Sequence, residues 1–396
     1  MVHLLTIVLF GLIAPAADTT SWPGLWGPSR NASVADAPAA PTGADVLWRH
    51  ANEGGYSEIA VHDGFAVTME QRAGDDFVVA LDAATGRERW RVRVGAGYKG
   101  HDGSDNGPIA TPAISGADVF ALGPFGQLMA IDLKTGKERW RHDLAKAYGA
   151  TAPLYGFAPS PLVEGRHVIV PTSGASSKGL LAFDRATGTL AWSTSVATKP
   201  SYSSAIAATL GGVRQVIAVS GDAVYAVSPA DGKVLWRAAS TNGDEEVANP
   251  PIVLPGDRVL ISDWAQSVLI GVTRRNGAFT TSEIWRSPRL RANNGPTVYR
   301  DGHLYGFVGP QLICMDANTG DVKWRERTGP GTLIALGNNL LVLAGDLHIV
   351  RAVPERYELV HKMPVFASGR TITGPSYAGG RLYVRNQKEV VALRLK

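Results

Sequence analysis

A nine-residue pattern, Asp-x-x-Thr-Gly-x-x-x-Trp, recurs along this chain without gaps, and no other feature constrains the fold as strongly. It runs from Asp82 through Gly86 to Trp90, from Asp132 through Gly136 to Trp140, from Asp184 through Gly188 to Trp192, and from Asp316 through Gly320 to Trp324. A variant starting at Ser228 passes through Asp231 and Gly232 to Trp236. The spacing has a chemical reason. A strand ends at Asp, whose carboxylate accepts hydrogen bonds from the amides of a tight turn, and Gly takes the positive φ that closes a hairpin. A second strand then carries the Trp. Strand-like runs such as Val119–Leu122, Val168–Val170 and Leu304–Phe307 precede the hairpins, so each unit reads as a four-stranded antiparallel sheet.

Trp48 and Trp285 extend the series, and His361 stands at the matching place in one further unit. Successive intervals along 48, 90, 140, 192, 236, 285, 324 and 361 are 37 to 52 residues, the period of propeller blades. The chain ends on Val390–Leu393, a third strand without a Trp partner, and residues 46–48 form a fourth strand without its sheet. The expected fold is therefore all-β: an eight-bladed β-propeller over 44–396, closed by pairing of its N- and C-terminal strands so that no sheet edge is left open.

Composition agrees. Glycine (45) and proline (24) are frequent, charged residues are 19%, and ten Trp and eleven Tyr accompany only five Met. The net charge of +4 comes without a block of five like charges, so nucleic acid is not an expected partner. A lone cysteine, Cys314, excludes an internal disulfide, Cys-x-x-Cys zinc sites and Cys-x-x-Cys-His haem attachment. Nine scattered His without His-Glu-x-x-His point to no metal. Leu4 to Ile13 is apolar and is followed by Ala14-Pro15-Ala16-Ala17, so 1–16 is expected to be a signal peptide. Residues 17–43 form a Trp/Pro/Gly/Ala-rich extension, and the product is expected to be a soluble periplasmic or secreted monomer rather than membrane-anchored.

The repeats resemble those of the pyrroloquinoline-quinone-like eight-bladed propellers, over about residue 44 to the end. That family includes quinoprotein alcohol dehydrogenases and the outer-membrane assembly lipoprotein scaffold. The phrases at 155–161 and 302–306 are similar to secreted planctomycete-type members, and Trp22-Pro23-Gly24-Leu25-Trp26-Gly27-Pro28 resembles their N-terminal Trp-Pro-x-Trp-x-Gly-Pro element with one residue displaced. The resemblance to the dehydrogenases implies an adjacent cysteine pair, a calcium ion and an Asp base. One cysteine cannot make the pair, although Glu245, Glu246 and Asn249 offer oxygens of the calcium-binding kind.

The repeated Asp, Gly and Trp are read as construction. Arg87, Arg89, Arg91 and Arg93, alternating along one outer strand, are read as edge protection, with an acidic-partner surface as the alternative. Asp102–Gly107 is a turn-rich loop, since it lacks the glutamate spacing of an EF-hand. Chemistry is expected in the connections from one outer strand to the next inner strand, which converge near the axis. These carry His101, Asp102, Tyr155, Lys199, Tyr202, Asn249, Asn293 and Arg370, with Tyr98, Asp105, Arg291 and Asn294 beside them. Such a funnel suits a polar ligand with an anionic or hydroxyl-rich face. Three functions follow: a non-catalytic binding or scaffolding module for protein, peptide or glycan, needing no cofactor; a quinone- and calcium-dependent alcohol or sugar oxidoreductase; or a hydrolase or lyase using His101 with a carboxylate such as Asp102.

Overall fold

A computed structural model describes residues 19–35, 41–172, 178–194, 196, 199–241, 247–292, 295–369 and 373–396. The expected signal segment lies outside these residues. Eight antiparallel sheets of four chain-consecutive strands are present, apart from the last, which takes its outer strand from the start of the propeller. Blade 1 comprises Ala60–His62, Phe65–Arg72, Asp75–Asp82 and Glu88–Ala96. Blades 2 to 7 open with inner strands at Ala113, Leu162, Ile206, Ile252, Val298 and Thr332. Blade 8 holds Ser376–Ala378, Arg381–Arg385 and Glu389–Leu395, and Ala44–Ala51 pairs antiparallel with the last of these. The ring is thus closed as the sequence implied. Among the described residues a single five-residue helix, Leu144–Tyr148, interrupts the β-structure, and none of them forms a helix long and apolar enough to cross a membrane.

Each repeat position has a defined task. Asp132 Oδ1 accepts the amides of Lys134 (3.1 Å) and Thr135 (2.9 Å) and the Thr135 hydroxyl (2.8 Å), and Asp82, Asp184 and Asp316 hold their own turns in the same way. On the outer strand the ladder slips by one residue next to every Trp-type position, a β-bulge that re-aims the side chain. The Trp stands opposite a small residue in most blades: Ala80, Ala130, Ala182, Ala226 and Ala392, with Cys314 filling that place opposite Trp324. Cys314 is fully buried, and burial pushes its thiol up to about 12. A thiol so held is a small apolar filler.

The indole reaches the neighbouring blade. Trp90 Nε1–H donates to the Leu133 carbonyl (2.7 Å), Trp140 to Arg185 (3.0 Å), Trp192 to Pro229 (3.1 Å), Trp285 to Ala317 (3.1 Å), Trp324 to Val353 (2.9 Å) and Trp48 to Ala83 (3.2 Å). In five of these six junctions the acceptor directly follows the residue that heads the turn, Asp in four and Ser228 in one, and the ring lies on the turn Gly. A Cβ on Gly136, whose φ is +72°, would stand 2.8 Å from the Trp90 ring, so close approach as well as backbone conformation requires glycine. Three of the four alternating arginines are committed to ion pairs: Arg89 with Asp82, Arg91 with Glu70 (2.8 Å) and Glu88 (2.7 Å), and Arg93 with Asp75 (2.7 Å).

The closing seam carries a tie of its own. Arg385 is fully buried and donates to Thr68 Oγ1 (2.7 Å) and to the carbonyls of Met69 (2.7 Å), Gly54 (2.7 Å) and Gly55 (3.0 Å), all belonging to blade 1 or the segment leading into it. Desolvation lowers its guanidinium to about 10. The clasp between blades is testable at Trp90, which is 9% exposed. Trp90→Phe should lose about 1–2 kcal/mol by orphaning the Leu133 carbonyl, and Trp90→Ala about 3–5 kcal/mol by adding a cavity. Urea unfolding of the two variants beside the parent separates the bond from the packing.

Candidate functional site

Two residues before each inner strand the chain turns toward the axis, and there the blades are stitched together by side chains. The Gly374 amide donates to Glu58 Oε1 (3.1 Å), the Glu58 amide to Thr111 Oγ1 (2.9 Å), the Thr111 amide to Ser160 Oγ (2.8 Å) and the Ser160 amide to Ser204 Oγ (2.8 Å). This relay runs from blade 8 through blades 1, 2 and 3 to blade 4. Blade 1 supplies a carboxylate where its neighbours supply hydroxyls, so one oxygen is left over. Glu58 Oε2 accepts the amide of Trp26 (3.3 Å), which belongs to the N-terminal extension.

That extension fills the channel. Thr19 accepts from Gly379 of blade 8 (2.8 Å), Trp22 and Val61 of blade 1 exchange backbone bonds (2.8 and 2.7 Å), and Pro23 accepts from Ile114 of blade 2 (2.7 Å). Arg30 donates to the carbonyls of Ser160 (3.2 Å), Pro161 and Ala205 (2.9 Å) in blades 3 and 4. Ser33–Val34 then adds a short parallel strand to the inner edge of blade 7. Trp22 (0% exposed) and Trp26 (4%) are core residues, and a Cβ on Gly27 (φ +80°) would meet the Trp22 ring at 2.9 Å. Residues 19–35 therefore plug the propeller's axis, which gives the displaced Trp-Pro-x-x-Trp-Gly-Pro element its role.

Above the plug lies a cavity of about 460 Å³ whose floor includes Leu25, Trp26 and Glu58. Of the expected funnel residues, His101, Asp102, Tyr155, Tyr202 and Asn249 line it, together with Tyr98 and Asp105. Lys199 does not, and its backbone is tied to Asp222 (3.1 Å) and Gly221 (3.4 Å). Asn293 and Arg370 lie outside the described residues, as do Asn294, Glu245 and Glu246. The Asn249 amide is committed to construction, since Nδ2 donates to the Ala292 carbonyl (2.5 Å). The 101–106 loop is held by its own bonds, from the His101 amide to Ser104 Oγ (2.9 Å) and from the Gly100 amide to Asn106 Oδ1 (3.0 Å). No group of three or more His, Cys, Asp or Glu that would hold a metal occurs among the described residues.

Residues of the cavity that sequence reasoning missed are Tyr56, Glu58 and Trp26. Tyr56, Tyr98, Tyr155 and Tyr202 come from successive connections. The Tyr155 and Tyr202 rings are 5.7 Å apart, the Tyr202 hydroxyl accepts the Tyr155 amide (3.3 Å), and the Tyr56 hydroxyl bridges to Asp105 (3.3 Å). Burial, then the neighbouring phenols of Tyr202, Tyr155 and Tyr56, raises the Tyr98 hydroxyl. Glu58 is 5% exposed, and burial pushes its carboxyl up to about 7 against the opposing pull of the Trp26 and Gly374 amides. The described lining carries the carboxyls of Glu58, Asp102 and Asp105 and no Lys or Arg.

The sequence profile of the family described as "Outer membrane protein assembly factor BamB" matches residues 74–278 and 265–396. No curated protein matches the chain. Among solved structures, BamB from Moraxella catarrhalis is 14% identical with a TM-score of 0.66, covering 89% of this chain and 100% of that one. The quinohemoprotein alcohol dehydrogenase from Comamonas testosteroni is 15% identical (TM-score 0.69; 96% and 81% covered), and a europium-containing methanol dehydrogenase is 14% identical (TM-score 0.67; 96% and 99% covered). At these identities the likeness is one of fold.

Glu58 also sets a pH dependence. Its folded-state value of about 7 stands above the ordinary 4.5, so between those two values the folded chain holds a proton that the unfolded chain has released. Stability contributed by this group is complete below about 4.5 and is lost as the pH rises toward 7, by up to about 3 kcal/mol. Asp76, raised to about 6 first by burial, acts in the same sense. Urea unfolding at pH 5 and pH 8 should show the fall, and Glu58→Gln, which imitates the protonated acid, should flatten it.

Proposed function

The chain belongs to the family described as outer membrane protein assembly factor BamB, and from that premise we propose that it is a non-catalytic binding module of the periplasm or cell exterior. The propeller is the frame and the funnel is the binding site. The observation that carries this reading is the plug: with residues 19–35 filling the axis, the cavity is a closed-bottomed cup floored by Leu25 and Trp26. A pre-formed aromatic cup with a few convergent polar groups is the form that small-molecule binding sites commonly take, which supports this reading. The apolar run Leu4 to Ile13 with its small-residue border supports export.

The quinone reading fits the described residues poorly. Pyrroloquinoline quinone is a flat tricarboxylate, whereas the described lining presents three carboxyls and neither Lys nor Arg. The one thiol is buried opposite Trp324 in the third strand of blade 6, away from the cavity lining. The acid–base reading finds His101 exposed against the edge of the Tyr98 ring (5.9 Å), with no ion pair to a carboxylate among the described residues.

Protein incubated with pyrroloquinoline quinone and calcium should give no visible-absorbing complex and no alcohol-dependent dye reduction. A panel of metabolites, peptides and glycans, followed by tryptophan fluorescence, should contain members that bind saturably and are recovered chemically unchanged. Tyr155→Leu combined with Tyr202→Leu should weaken that binding at least tenfold, while Lys199→Met should leave it alone. Quinone-dependent dye reduction, or conversion of a bound member, would overturn the proposal.

A further inference from the structure

Resting on the binding-module reading and narrowing it, we propose that the cup takes an organic cation, an alkylammonium or guanidinium group, seated among the tyrosine rings above Glu58. Three independent observations converge on that class. First, the rings are the right hosts. Tyr56, Tyr98, Tyr155 and Tyr202 with Trp26 surround one cavity, and an aromatic face attracts a cation through its quadrupole. Second, the described lining carries three carboxyls, of Glu58, Asp102 and Asp105, beside His101 and no Lys or Arg. Third, Glu58 is a buried carboxyl whose described partners are two backbone amides, from Trp26 and Gly374. Each carboxylate oxygen retains acceptor capacity, and a buried charge is stabilised most by a counter-charge that loses its own water on entry.

A sugar would stack on the tyrosines and offer hydroxyl donors but bring no counter-charge to the carboxyl, and an anion would be repelled by the carboxylates of the described lining. Exposed apolar side chains beside Tyr98 suit a methylene stem. Phe125 (45% exposed) lies 6.1 Å from the Tyr98 ring, and Leu154 (61% exposed) accepts the Tyr98 hydroxyl at its carbonyl (3.1 Å). The cation has two possible sources, a free amine or a basic side chain of a peptide, and both present the same group to the cup.

The test is calorimetric titration of the full chain with Nα-acetyl-lysine methylamide, the peptide Gly-Gly-Lys-Gly-Gly, the same peptide with acetyl-lysine or Glu at its centre, and maltotriose. Binding of the lysine compounds, at least tenfold tighter than acetyl-lysine or Glu forms, is the expected result. Tighter binding of the peptide than of the single residue would identify a peptide source, and equal binding a free amine; both support the cation. Glu58→Gln should weaken the lysine compounds at least tenfold, and Tyr155→Leu, which leaves the relay of backbone bonds in place, should do the same if Glu58→Gln disturbs the plug. Equal binding of the acetylated or Glu peptide, preference for maltotriose, or no binding by any lysine compound overturns the cation class. Preference for maltotriose leaves the binding module standing, whereas turnover of a bound lysine compound overturns the non-catalytic reading and leaves the cation.

Discussion

The fold rests on one contact repeated around a ring: an indole N–H that crosses from the outer strand of one blade to a turn carbonyl of the next. A Trp at a β-bulge opposite a small residue is aimed sideways, out of its own sheet. It then covers the glycine of the neighbouring turn while its nitrogen satisfies a carbonyl that the turn leaves over. Packing and hydrogen bonding are therefore satisfied by the same side chain at the same place. The constraint acts on both partners, because the turn must carry Gly where the ring lands and the ladder must slip where the ring departs.

The two interfaces that break the rule show what it depends on. Trp236 donates instead to Gln215 Oε1 within its own blade (2.6 Å), where the next blade joins its outer strands Ser267–Arg275 and Ala278–Ser287 through a tight Asn276–Gly277 hairpin rather than a longer turn. His361 replaces Trp at the junction of blades 7 and 8, where the outer two strands of blade 8 come from opposite ends of the chain. At the next junction, where blade 8 meets blade 1, the Trp48 indole keeps the rule and is reinforced, with Tyr383 and Arg381 also donating to the Ala83 carbonyl and Arg385 inserted into blade 1.

Blade number, hairpin chemistry and ring closure were legible because they are written as short-range spacing: eight residues from Asp132 to Trp140, and a Trp-bearing strand at one end of the chain without its sheet. The cavity was legible in part. His101, Asp102, Tyr155, Tyr202 and Asn249 belong to connections that break the repeat, and breaks in a repeat mark loops. Which side chain enters a cup and which is spent on construction depends on contacts across the ring, and no local pattern reports them. Lys199 lies outside the cup, and Asn249 lines it with its amide nitrogen already bonded to Ala292.

Glu58 makes the point most fully. In the sequence it is one acid in Ser57-Glu58-Ile59-Ala60, unlike Thr111, Ser160 and Ser204 in charge and without visible kinship to them. Only the alignment of inner strands shows that all four hold the same position in a relay of hydrogen bonds from backbone amides to side-chain oxygens. A hydroxyl there suffices to accept one amide from the preceding blade. A carboxylate accepts that amide and one more, and the additional bond goes to Trp26, fixing the plug whose ring floors the cup. The same residue thus belongs to the ring, to the plug and to the ligand cavity. Its burial disfavours the charged form, and a cation entering from above would restore that charge. Occupation of the cup by such a cation would accordingly be coupled to the seating of the N-terminal segment through one carboxyl group.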